Sequence, residues 1–222
     1  MRIPIKLDSI CLQEALRYLG WKGECRDERV LAQLEHARCI ALEGIRPLVV
    51  AQRFPLGEDG SFVNTTFTPQ GEEPLHLLEG CKEGVLLAAT LGALSEQLIL
   101  REQARSASSA LVLDAVLSAA IEAVCDRACL VLSKEASKEG LHLTWRFSPG
   151  YGDMPLAQTK EICAVLDAHK TIGLTVSASG LMIPRKSVTA LMGLSQTKRS
   201  DHAQGCEGCA RRATCAMRKD RG

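Results

Sequence analysis

Between about residues 109 and 135, apolar side chains return every three or four positions: Leu113, Val116, Leu117, Ala120, Ile121, Val124, Ala128 and Val131. That period marks one long amphipathic helix. At 1.5 Å per residue it extends about 40 Å, so the rest of the chain must supply a surface of similar length to cover the stripe. Beside the stripe runs a second row at spacing four, Asp114, Ser118, Glu122 and Asp126. The simplest reading of that row is the solvated edge of the helix.

No unbroken apolar run approaches the roughly 18 residues that span a bilayer, so the sequence reading excludes a transmembrane helix. The first residues, Met-Arg-Ile-Pro-Ile-Lys-Leu-Asp, interrupt their apolar side chains with Lys6 and Asp8. That pattern argues against a cleaved secretory signal and leads us to expect a cytoplasmic protein. Two residue types then stand out. With two Trp, two Tyr and four Phe, the core must be built from aliphatic side chains, and stacking platforms for bases are scarce. Ten cysteines is a high number where thiols are kept reduced. Cys11, Cys25, Cys39, Cys81, Cys125, Cys129 and Cys163 are scattered and read mostly as core, whereas Cys206, Cys209 and Cys215 crowd the end of the chain.

Charge divides the chain in the same place. Residues 196–222 carry seven basic against three acidic side chains, a net +4, which leaves −3 on residues 1–195. We therefore expect a mildly acidic body, 1–195, and a basic cysteine-rich tail, 196–222. Within the body, 10–19 and 27–43 read as helices, and 47–53 and 61–67 as strands joined by the turn Gly57-Glu58-Asp59-Gly60. His142 to Phe147 alternates as a strand. Strand-like stretches at 172–177 and 186–194 follow, separated by Ser179-Gly180 and Pro184. Helices and strands are segregated more than alternated, which points to an α+β fold.

Between them lies Arg146-Phe147-Ser148-Pro149-Gly150-Tyr151-Gly152-Asp153-Met154-Pro155, with two Gly and two Pro in the eight residues from Ser148. This is an ordered, turn-rich loop, with Pro155 suited to the first turn of a following helix and Asp153 or Met154 to its cap. Arg146 offers a planar fork for a carboxylate, Gly150 lets a ligand approach the backbone, and the Tyr151 ring can cover an apolar or cationic face. Taken alone, the hexapeptide is equally a strand end and a tight turn. The longer ordered series, Arg146-x-Ser148-Pro149-Gly150-Tyr151, then a helix ending at Leu166-Asp167, then Ile172-Gly173-Leu174-Thr175, then Met182-x-Pro184-x-x-Ser187-Val188-Thr189, resembles the activation (reactivation) domain of cobalamin-dependent methionine synthase over about residues 110–195.

That resemblance implies long helices packed on a twisted, mainly antiparallel sheet, with S-adenosylmethionine bound at Arg146, Ser148, Gly150 and Tyr151, Ser148 through its backbone. It also implies a Glu on the preceding long helix, for which Glu122 is the nearest match. The sequence departs from the family where Ala190-Leu191-Met192-Gly193-Leu194 stands in place of an aromatic-rich segment. The implied role is reductive methylation in trans, with cobalamin presented by a separate corrinoid protein or by a cobalamin-dependent methionine synthase lacking its own activation domain, and an electron supplied by a donor protein. Asp167-Ala168-His169-Lys170-Thr171-Ile172-Gly173 resembles the cobalamin-binding Asp-x-His-x-x-Gly signature but has one residue too many, and we reject His169 as a cobalt ligand.

The tail holds His202-x3-Cys206-x2-Cys209-x5-Cys215. Three cysteines at this spacing suit an iron–sulfur cluster, and with His202 they suit zinc. Cys206 and Cys209 alone suffice for a redox dithiol, and a tail with incidental thiols is the bland alternative. The neighbouring Arg211, Arg212 and Arg218 favour thiolate. The competing functional readings are therefore an iron–sulfur or zinc-tailed redox protein on an inert scaffold, and a zinc-tailed nucleic-acid binder. The acidic body and the lack of stacking aromatics argue against the second.

Overall fold

A computed structural model describes residues 1–198. In chain order its elements are β1 (Arg2–Ile3), α1 (Leu12–Tyr18), α2 (Glu28–Gly44), β2 (Leu48–Pro55), α3 (Glu72–Leu78), β3 (Glu83–Thr90), α4 (Leu94–Arg105), α5 (Ala107–Lys138), β4 (His142–Leu143), α6 (Gln158–Val165), α7 (Ala168–Ile172), β5 (Thr175–Val176), β6 (Met182–Ile183) and β7 (Ser187–Ser195). β1, β2, β3, β7 and β4 form one antiparallel sheet in that order, and β5 and β6 pair separately. The fold is α+β.

The apolar stripe lies on α5, a helix of 32 residues whose first turn is capped by the Ser106 hydroxyl accepting from the Ser109 amide at 3.3 Å. Leu113, Val116, Leu117, Ala120 and Val124 are fully buried against α1, α2, α4 and the sheet. Burying a Leu or Val side chain completely stabilises a fold by about 1.5–3 kcal/mol, so this stripe is a principal source of cohesion. By length and composition alone α5 is able to cross a bilayer, which the lack of an unbroken apolar run does not exclude. Its apolar window is 61% buried inside the fold, and α5 is the central core helix.

The central strand β3 faces two cores. Val85, Leu87 and Ala89 point to α5, while Leu86 and Ala88 point to a second cluster built from Phe62, Phe67, Leu77, Ile162 and Leu174. β7 divides likewise, with Met192 and Leu194 towards α5 and Leu191 away from it. The pairing of β2 corrects the expected hairpin. The turn forms, with the Gly57 amide donating to Ser61 O at 2.9 Å, but residues 61–67 add only one bridge, Leu56 to Phe62. β2 instead pairs with β3 along its full length, Leu48 to Thr90 through Pro55 to Glu83. Phe62 then serves as a core plug, stacking edge-on against Phe54 and Phe67.

Of the seven scattered cysteines, Cys25, Cys125 and Cys163 are buried and Cys81 and Cys129 partly so. Cys11 and Cys39 are exposed, so the group is mostly but not wholly withdrawn from solvent.

Candidate functional site

The polar row on α5 is not simply a solvated edge, because two cations lie along it. Lys186, immediately before β7, approaches Asp114 Oδ2 at 2.9 Å and donates to Ser118 Oγ at 2.8 Å. One turn further, Arg146 Nη2 donates to Glu122 Oε2 at 3.1 Å and to Asp126 Oδ1 at 2.6 Å. Further on again, Cys129 Sγ is 3.7 Å from Met192 Sδ. Successive turns of α5 thus meet successive positions of β7, so helix and strand run side by side in the same direction. Lys186 was absent from the sequence reading. Its signal is the cation pair at a strand entry, Pro184-Arg185-Lys186-Ser187, of which Lys186 reaches the carboxylate row while Arg185 meets Glu96.

Arg146 is largely enclosed, its side chain 18% exposed. Burial works against its charge, but attraction from Cys125, Glu122, Cys129 and Asp126 outweighs this and its pKa is raised. Both thiols are held protonated at neutral pH, Cys125 pushed up to about 12 and Cys129 to about 11 by burial, so there the two carboxylates carry the attraction. Both ion pairs use the same terminal nitrogen. Nε and Nη1 of Arg146 make no hydrogen bond among the described residues. α5 thus holds Nη2, the nitrogen common to both bidentate edges of the guanidinium, and leaves Nε–H and Nη1–H, which point apart, for single hydrogen bonds.

Downstream, the Phe147 amide and carbonyl bridge to Leu191 of β7 at 3.0 and 2.8 Å, which fixes where the loop leaves the sheet. The chain then turns tightly. Tyr151 N donates to Ser148 O at 3.2 Å, Met154 N to Tyr151 O at 3.1 Å, and Gly150 N to Met154 O at 2.9 Å. Gly150 has φ +90°, a conformation that an L side chain rarely adopts. The Ser148 amide has no acceptor among the described residues, and Tyr151 is 65% exposed. Buried Met154 pins the loop's far end.

Asp153 corrects one expectation. Its carboxylate accepts from the amides of Glu72 at 2.5 Å and Glu73 at 3.2 Å, so it caps α3 rather than the following helix. α6 starts only at Gln158, after a turn in which Pro155 O accepts from the Gln158 amide. The buried Gln158 side chain then reaches back, its amide donating to Thr68 O and its oxygen accepting from the Gln70 amide, each at 2.9 Å. The loop is therefore tied to β7, α3 and the segment before α3.

The structure brings Arg146 and Glu122 together, with Ser148, Gly150 and Tyr151 in the adjoining loop. His169 lies in the last turn of the short helix α7. Among the described residues no group of three His, Cys, Asp or Glu side chains is placed to hold a metal. His202, Cys206, Cys209 and Cys215 lie outside the described residues.

No family model matches the chain, and no curated protein matches it. Its fold is similar to a solved structure, the crystal structure of the MetH reactivation domain bound to AdoHcy. The TM-score is 0.62 with 15% sequence identity, over 92% of this chain and 81% of that one. At that identity the likeness establishes the shared fold.

Proposed function

We propose that the chain is an S-adenosylmethionine-binding reactivation module that acts in trans on a cobalamin-dependent methionine synthase or a related corrinoid methyltransferase. The observation that carries this reading is Arg146, held at Nη2 by Glu122 and Asp126 with Nε–H and Nη1–H unengaged among the described residues, two positions before the Ser148–Tyr151 turn. The solved neighbour of the same fold holds AdoHcy, the product that S-adenosylmethionine leaves after giving up its methyl group.

The residues present suit such a ligand. Arg146 Nε–H or Nη1–H would give its carboxylate a single charge-assisted hydrogen bond, and the Ser148 amide would donate to it or to the ribose. Glu122 keeps Arg146 in place and offers an acceptor to the ligand's ammonium group. At Gly150 the absence of a side chain allows close approach to the backbone, and the exposed Tyr151 ring would cover the adenine or the sulfonium face. When bound, S-adenosylmethionine supplies a methyl cation that, together with one electron from a donor protein, turns a partner's cob(II)alamin into methylcobalamin and leaves S-adenosylhomocysteine. The chain's contribution is to hold the ligand in register with the cobalt, a proximity effect that requires no acid or base.

The tail spacing supports a second element of this reading, an iron–sulfur or zinc site at Cys206, Cys209 and Cys215 that would place an electron carrier on the same chain. Adding the protein, S-adenosylmethionine and a reductant to a methionine synthase that lacks its own activation domain and is trapped as cob(II)alamin tests the role in trans. The expected outcome is conversion of the cob(II)alamin absorbance to that of methylcobalamin. Unchanged absorbance across corrinoid partners, with the ligand bound, would remove the reactivation role.

A further inference from the structure

Cys81 stands in the turn between α3 and β3, its amide donating to Leu78 O at 2.9 Å. Its Sγ lies against the backbone of β7 at Gly193, where an added Cβ would stand 2.6 Å from the sulfur. A glycine inside a strand weakens it unless something else approaches the backbone there, and at Gly193 that something is the half-buried thiol. Gly193 is two residues before the end of β7 at Ser195, and the cysteine-rich tail begins at the next residue.

Cys206, Cys209 and Cys215 lie outside the described residues, the first of them 11 positions beyond Ser195. A segment of that length extends to about 36 Å at 3.3 Å per residue, far more than the two strand positions between Ser195 and Gly193. A tether this short makes the meeting of its ends intramolecular, at an effective concentration on the order of millimolar. The other described cysteines are less well placed. Cys25, Cys125 and Cys163 are buried, and Cys129, packed on Met192, is pushed up to about 11 by burial, whereas a metal takes thiolate. Cys11 and Cys39 belong to α1 and α2, which pack on α5, while Gly193 faces away from α5 towards Leu78.

We propose that Cys81 is the fourth thiolate of a metal centre whose other ligands are Cys206, Cys209 and Cys215, so that body and tail build one four-cysteine site at the end of β7. This rests on the tail reading given above and supplies the ligand that reading leaves open. It also sets the centre beside the S-adenosylmethionine loop. Leu191, which bridges Phe147, lies two positions before Gly193 on the same face of β7, a distance of about 7 Å along a strand.

Cobalt(II) is the probe, because its thiolate charge-transfer absorbance grows with the number of sulfur ligands. Full-length protein, reduced and freed of metal without oxygen, is titrated as wild type, Cys81→Ser, Cys206→Ser, His202→Ala and Cys39→Ser. Cys81→Ser and Cys206→Ser should each lose about a quarter of the absorbance per bound ion and bind at least tenfold more weakly, while His202→Ala and Cys39→Ser match wild type. In the wild-type protein, which needs no variant to fold, bound cobalt should shield Cys81 and the three tail cysteines from iodoacetamide and leave Cys39 reactive, as read by peptide mass spectrometry. Wild-type binding in Cys81→Ser beside a loss in Cys206→Ser, a loss in His202→Ala, or an unshielded Cys81 would overturn the assignment and leave the tail site standing. No cobalt absorbance in wild type would overturn both.

Discussion

Arg146 Nη2 lies 3.1 Å from Glu122 Oε2, joining the loop after β4 to the face of α5 across 24 positions of the chain. The pair does two jobs with one contact. It spends Nη2 of the guanidinium on the helix and leaves Nε and Nη1 without a hydrogen bond among the described residues. A fork presented in this way loses little freedom on meeting a carboxylate, so more of the contact energy goes to binding.

The loop is held by backbone geometry as much as by side chains. In Gly150→Ala a Cβ would stand 3.3 Å from Leu156 Cδ1 on a backbone at φ +90°. Forcing a non-glycine residue there costs about 1–3 kcal/mol. Asp153→Ala removes the acceptor at the start of α3 and costs about 1 kcal/mol, while Asp153→Asn retains most of the cap. Each lost kcal/mol should lower Tm by roughly 2–4 °C in a chain of this size. Calorimetric melting checks this, and unchanged melting in both Gly150→Ala and Asp153→Ala would contradict the described turn.

Thiol chemistry should follow burial. Burial pushes Cys125 up to about 12 and Cys129 and Cys163 up to about 11, against an ordinary value of 9.0. With iodoacetamide at pH 8, the exposed Cys11 and Cys39 should be alkylated well before Cys125, as read by peptide mass spectrometry. The raised values also set the sign of a stability effect. The folded chain keeps protons that the unfolded chain releases above pH 9, so this contribution is intact below pH 9 and lost as pH rises towards 11–12. Denaturant midpoints at pH 7, 9 and 10.5 should fall over that interval, and a rise would contradict the burial of these thiols.

The tail reading makes a compositional prediction. Protein purified without oxygen should carry iron and sulfide, with visible absorbance that air bleaches and that is lost in Cys206→Ser and Cys209→Ser. Stoichiometric zinc without iron would replace the cluster by a zinc site. Neither metal would leave a dithiol or incidental thiols.

What could be read ahead of the structure depended on how long a pattern persists and how far apart partners lie. α5 was legible because its apolar pattern extends over many residues with one face clearly preferred, and β7, buried on both faces, because Ser187-Val188-Thr189 belongs to the series that carries the family resemblance. β3 was not, since Val85-Leu86-Leu87-Ala88-Ala89 is buried on both faces and shows no alternation. That omission in turn gave β2 the wrong partner, the segment 61–67, whose phenylalanines serve the core. Arg146 and Glu122 were found through family resemblance. The Lys186 contact to Ser118 was invisible because its partners are 68 residues apart, and no local pattern reports such a meeting.

The central claim is that Arg146 donates to the ligand's carboxylate from Nε or Nη1 while Glu122 holds its Nη2. Calorimetric titration of S-adenosylmethionine into the wild-type protein, Arg146→Ala and Glu122→Gln measures this most directly. The account predicts saturable binding by wild type, at least tenfold weaker binding by Arg146→Ala, and a smaller loss in Glu122→Gln. Full affinity in Arg146→Ala, or no binding by wild type, would contradict it.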